Sequence, residues 1–309
     1  MISRFILQQR LTFLTGMLLA SLLLQISCKA NSESAPIESG AEQASLGKAQ
    51  TIADGVLLHE VFLNGGRNKI WIYLPEKKAQ KKIPGVLIAA AGSRLFHGMK
   101  LGAGDRPEHL PYVQAGYVVI AYELAGELND NPTKADAKVA IQSFTQSNAG
   151  LKNQKAALDF ALANIPEIDP EKIYVAGHSS AATHALLVAE NEPRIKGCIA
   201  YAPVTNISNR LGNQVKALES MNPGFREFIV RSSPLTNVGN LKCPVFLFHA
   251  DDDDVVPTTE TTIFIEALKK TNRSVEFLRV KSGGHYDSMI QQGIPGALKW
   301  LEKISTKAN

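Results

Sequence analysis

Short apolar runs punctuated by glycine, proline and charged residues recur along the chain, and helical stretches separate the later ones. Val56–Leu63 and Lys69–Leu74 read as strands joined through Asn64-Gly65-Gly66, a hairpin signal, with Pro75 closing the second. Val86–Ala90 and Tyr117–Ala121 are unbroken apolar runs, the pattern of parallel strands covered on both faces. Lys172–Ala176, Lys196–Tyr201, Val245–Phe248 and Ser274–Val280 add further strands. Lys134–Ala163 is helical in character, with Leu151, Leu158 and Leu162 on one face, until Pro166 and Asp169-Pro170 break it. Ala185–Ala189, Thr258–Lys270 and a segment from Pro295 that buries Ala297, Leu298, Leu301 and Ile304 are also expected as helices. The alternation predicts an α/β domain: a mostly parallel central sheet with helices on both faces, led in by an antiparallel hairpin. Two connections are long. Ala91–Pro111 is rich in glycine and proline, and residues 204–240 have polar helical character without a strand, a candidate small cap insertion.

Catalytic groups in such sheets lie at the carboxyl ends of strands. There the chain reads Gly177-His178-Ser179-Ser180-Ala181, a small residue two before a serine and another two after it. At a strand-to-helix junction this describes a nucleophile elbow, a turn too tight for larger flanks. Ser180 as the nucleophile would put His178 at the crowded flank, so Ser179 is the better candidate. A serine hydroxyl needs a base to take its proton and a carboxylate to orient that base, in the chain order Ser, Asp, His. The acidic run Asp251–Asp254 and then His285 follow, each just past a strand.

These residues carry a resemblance. From about Thr51 to Ile304 the chain resembles an α/β-hydrolase, nearest the dienelactone hydrolase and prolyl oligopeptidase-type branches. The pattern His-Gly-x-x-Asp-x-x-Val-Pro of those branches is met by His249-Ala-Asp-Asp-Asp253-Asp-Val-Val-Pro257. The match selects Asp253, with Asp252 and Asp254 as alternatives. Gly284-His285-Tyr286, Ser233-Pro234-Leu235 ahead of Cys243-Pro244, and Gly116-Tyr117 are also similar. Ala181 and Ala250 each replace a glycine, and Ala91-Gly92-Ser93 stands where those branches read His-Gly.

The resemblance implies a serine hydrolase in which Ser179 attacks, His285 shuttles the proton and Asp253 orients the imidazole. The oxyanion would be held by the backbone amides of Ser180 and Ser93, with Gly92 the fallback. It implies no cofactor, and a small-molecule ester or short peptide as substrate. With no propeller expected ahead of the domain and only a small cap, the expectation tilts to an esterase acting on small substrates. A prolyl oligopeptidase-type peptidase is the alternative, and an inactive hydrolase fold serving as a surface binding lipoprotein is the second.

Composition changes little. The 309 residues are 45% hydrophobic and 20% charged, with a net charge of +4 that falls to +2 without Arg4 and Arg10. That gives no electrostatic case for nucleic acid. Lys77-Lys78 and Lys269-Lys270 read as solvated turns. Arg4 and Arg10 precede the uncharged run Leu11–Ile26 and then Ser27-Cys28, the layout of an export signal. Cys28 makes residues 1–27 resemble a bacterial lipoprotein signal, with Cys28 lipidated and residues 28–50 a flexible tether to a domain spanning 51–309. A cut near Ala30 or an uncleaved anchor are alternatives, and each places the domain outside the cytoplasm, in the cell envelope. Cys198 and Cys243 are expected as buried free thiols. The histidines are too scattered for a metal cage. Among them His97 and His109 are candidates to line the site, His178 and His184 are read as packing residues, and His249 as structural. The aspartates beside Asp253 are read as solvated turn residues or helix N-terminal charges.

Overall fold

The computed structural model describes residues 45–307 apart from 67, 78 and 79. The expected signal, Cys28 and most of the expected tether lie outside the described residues. Among the described residues nine strands form one sheet: β1 Ala49–Ala53, β2 Val56–Leu63, β3 Asn68–Pro75, β4 Ile83–Ala89, β5 Val118–Tyr122, β6 Ile168–His178, β7 Ile195–Tyr201, β8 Val245–Ala250 and β9 Val275–Val280. Their spatial order is β1-β2-β3-β5-β4-β6-β7-β8-β9. β1 to β3 pair antiparallel, β3 meets β5 antiparallel, and every later pair is parallel.

The antiparallel lead-in therefore has one strand more than the expected hairpin. β1 starts inside the span read as tether. Leu46 already packs on the core, and Gly47 O accepts a hydrogen bond from His59 Nδ1 at 2.6 Å. The β2–β3 turn follows the sequence, with Asn64, Gly65 and Gly66 at φ of 53°, 65° and 88°.

Helices cover both faces. α1 is Arg106–Gln114, α2 Lys134–Gln146, α3 Leu151–Asn164, α4 Ser180–Asn191, α5 Ile207–Leu211, α6 Gln214–Met221, α7 Phe225–Arg231, α8 Pro234–Asn237, α9 Thr258–Leu268 and α10 Ile294–Lys307. Leu158, Ala161, Leu186, Val188, Phe264 and Leu268 join one buried cluster, so α3, α4 and α9 share a face. Tyr112, Val113, Ala297, Trp300 and Leu301 join the other, which places α1 and α10 opposite. The stretch 134–163 is two helices, because Asn148, Ala149 and Gly150 all take positive φ and Ser147 Oγ bonds Phe144 O. α1 begins inside the segment read as a loop and runs past its end, and its two prolines hid it. Pro107 falls in the first turn, where no amide donor is needed.

Residues 204–240 are less polar than their pattern suggests. Phe225, Phe228 and Ile229 are almost wholly buried against Leu95, Phe96, Ile141 and Phe144. Each such aromatic stabilises this segment by about 1.5–3 kcal/mol of apolar burial. Residues 204–240 are thereby tied to the loop after β4. Because β5 flanks β4 on one side and β6 on the other, the chain leaves these two strands in divergent directions. Ligands of open α/β sheets bind in the crevice at such a switch point.

Candidate active site

Ser179 occupies that crevice, between the end of β6 and the first residue of α4. Its φ of 56° and ψ of −118° are those of a strained turn, a conformation costing about 1–3 kcal/mol. A Cβ on Gly177 would meet the Ala181 carbonyl oxygen at 2.3 Å, so the chain at 177 must be glycine. Ala181, fully buried, tolerates its extra methyl in place of the family's glycine. Ser179 N donates to Tyr201 O of β7 at 2.9 Å, and Ser179 O accepts from the amides of Ala182 and Thr183. The Ser180 amide opens α4, in the first turn, where a helix offers its own N–H groups no acceptor.

The acid and base expected from the acidic run and the glycine-rich loop come together. His285 Nδ1 lies 2.7 Å from Asp253 Oδ2. The carboxylate can only accept, so Nδ1 carries the proton and Nε2 presents its lone pair. The Asp253 side chain is 1% exposed. Burial alone would raise its pKa, but hydrogen bonds from His249, His285 and the Val256 amide outweigh burial and hold it well below the carboxylate range. Asp253 Oδ1 takes the amides of Val255 and Val256, both at 2.9 Å.

Two partners of this pair were not read from the sequence. His249 is fully buried, with Nε2 3.2 Å from Asp253 Oδ2 and 2.9 Å from Val256 O, and Nδ1 2.8 Å from Thr261 Oγ1. What it supports is the Asp253 carboxylate. Asp252 is no idle turn residue: its two carboxylate oxygens accept the Gly283 and Gly284 amides at 3.0 and 2.8 Å. Gly283 and Gly284 take φ of 126° and 66°, and a Cβ on Gly283 would lie 2.8 Å from that of Ser288. A carboxylate and a Gly-Gly pair separated by a helix and a strand give no local signal.

In the loop after β4 the Ser93 amide donates to Ser180 Oγ at 3.0 Å, and the Gly92 amide to the same oxygen at 3.0 Å. The amide expected to serve an oxyanion, that of Ser93, and its fallback at Gly92 thus both face a side chain of the elbow. His97 is buried and staples this loop: Nδ1 is 2.7 Å from Gly98 O, and Nε2 accepts the Arg94 amide. His109 is buried on α1 against Tyr73 Oη at 3.0 Å. Cys198 and Cys243 are free thiols, the first buried and the second partly so.

Fold and elbow together define an α/β-hydrolase. The chain belongs to the prolyl oligopeptidase family, whose sequence pattern matches residues 110–306. An acetyl esterase of Xylanibacter ruminicola is 25% identical over 229 residues, 64% of this chain. The match spans about half of that relative, 48% of its length. An acetyl xylan esterase from Paenibacillus sp. R4 superimposes with a TM-score of 0.60 at 16% identity, over 84% of this chain and 88% of that one. An acylaminoacyl peptidase of Pyrococcus horikoshii gives a TM-score of 0.57 at 16% identity, over 81% of this chain and 47% of that one. At such identities these solved structures speak for the fold.

Proposed function

We propose that this chain cleaves carboxylic esters of small substrates, with Ser179, His285 and Asp253 as its triad. The observation that carries the reading is the 2.7 Å pairing of His285 with Asp253 beside a serine held at positive φ. Ser179 Oγ attacks the ester carbonyl while His285 Nε2 takes its proton, and Asp253 holds the resulting imidazolium. The Ser180 amide receives the developing oxyanion. The Ser93 amide joins it when Ser180 Oγ shares or yields that donor, with Gly92 in reserve. His285 then protonates the leaving alcohol, and water attacks the acyl-enzyme to release the acid. No cofactor enters this sequence.

The acetyl esterase relative supports an ester substrate. A fluorophosphonate probe and 4-nitrophenyl acetate test the reading together. The probe labels wild type and not Ser179→Ala, and the substitution lowers kcat by roughly 10⁴-fold or more. Folded wild type that takes no label would sink the enzyme reading in favour of an inactive binding protein. Family membership favours a second reading, a peptidase acting on short peptides, which predicts peptide anilides cleaved at rates comparable with simple esters. The apolar leader and Cys28 support export and a lipid anchor in the bacterial envelope. Palmitate labelling that persists in Cys28→Ala rules out lipidation at that residue.

A further inference from the structure

Resting on that triad, we propose that His178, the residue before Ser179, is a positioning residue for His285, tying the elbow to the histidine loop through the main chain. His178 Nε2 lies 2.9 Å from the carbonyl oxygen of His285 itself, a contact spanning 107 residues of sequence. A carbonyl only accepts, so Nε2 carries the proton and donates. Nδ1 then holds a lone pair. It faces Glu108 Oε1 at 3.9 Å, beyond hydrogen-bond range.

The surroundings keep His178 in that form. The residue is 4% exposed, and burial, reinforced by the charge of neighbouring His285, pushes its pKa down to about 3. Burial pushes Glu108 up to about 8, with Asp105 adding to the effect, so at neutral pH it presents no carboxylate to draw a second proton onto Nδ1. The rings of His178 and His285 lie 4.5 Å apart at 44°, and Tyr286 meets His178 edge-on at 5.7 Å. His178 therefore touches both the backbone and the ring plane of the base.

The direction of this contact sets it apart from the other braces. Asp252 and Asp253 both follow β8, so they fix the histidine relative to the acid. Ser288 Oγ donates to Gly284 O within the histidine loop's own segment. His178 comes from β6, the strand that ends at Ser179. Its bond fixes the histidine relative to the nucleophile, and the two glycines preceding His285 are backbone that a brace has to restrain. An error of about 1 Å in such an alignment costs on the order of 10²-fold in rate.

Three substitutions and one spectrum test this with 4-nitrophenyl acetate. His178→Met fills the buried space without a donor, whereas His178→Gln can place an amide N–H near the former Nε2. The expected result is a kcat lower by about 10- to 100-fold in the methionine variant, with KM within about 3-fold. The glutamine variant recovers most of that loss, and both keep the wild-type circular dichroism spectrum. Equal activity of the two variants, or a methionine variant within about 3-fold of wild type, overturns the proposal. Should neither variant fold, the ¹⁵N spectrum of the wild-type imidazoles decides. A neutral His178 protonated on Nε2 is expected, and the Nδ1 tautomer overturns the brace. Ser179→Ala, run alongside, separates the two ideas. If it still turns over the ester the triad is wrong, whereas loss there with an unaffected His178→Met removes only the brace.

Discussion

Asp253 and His285 are gripped from several directions, while the loop from Ala91 to His97 reaches the elbow through the single hydroxyl of Ser180. The acid–base half is fixed by carboxylates: Asp253 takes two amides and two imidazoles, and Asp252 takes two amides of the histidine loop. Bonds to ionised groups are about twice as strong as neutral ones. The loop half is pinned at its far end, where Gly98 N bonds Gly126 O and Met99 pairs with Leu124. At its near end two amides share one neutral oxygen. A proton shuttle needs one geometry throughout the reaction. In the proposed mechanism the oxyanion site exchanges its resting acceptor for the substrate's oxygen, and a weaker holder permits that exchange.

Substitutions grade this contrast. Asp253→Asn replaces the carboxylate that holds Nδ1–H and favours the wrong tautomer, so kcat for 4-nitrophenyl acetate should fall roughly 10³- to 10⁴-fold. A loss below about 10-fold would move the acid to another residue. Asp252→Ala frees the Gly283 and Gly284 amides, and kcat is expected to fall about 10- to 100-fold with KM little changed. An unchanged kcat would show that the histidine loop holds itself. Ser180→Ala should cost the least, about 3- to 10-fold in kcat/KM, the worth of a neutral hydrogen bond or two. A rise in kcat/KM would instead mean that the hydroxyl competes with substrate for the amides.

Much of this site was readable because its parts obey local rules. The turn at Gly177-His-Ser-Ser-Ala181 needs glycine at its first position, where a Cβ would lie 2.3 Å from the Ala181 carbonyl oxygen. The run after Val245–Phe248 and the glycines before His285 mark strand ends by composition. Choosing among four aspartates took a resemblance, since nothing local separates Asp252 from Asp253. The structure gives each a different partner, Gly283 and Gly284 for one and His285 for the other. α1 escaped notice because its prolines read as breakers, and β1 because five residues with a polar edge resemble a linker.

Periodicity and turn chemistry, which act over a few residues, were enough to read the α/β alternation and the tight turn at the elbow. What each side chain holds was decided by the folded sheet. Ser180 Oγ meets amides 87 and 88 residues away, and His178 Nε2 meets a carbonyl 107 residues away. Such partners are set by which strands lie side by side, and the order that puts β4 next to β6 is a property of the whole sheet.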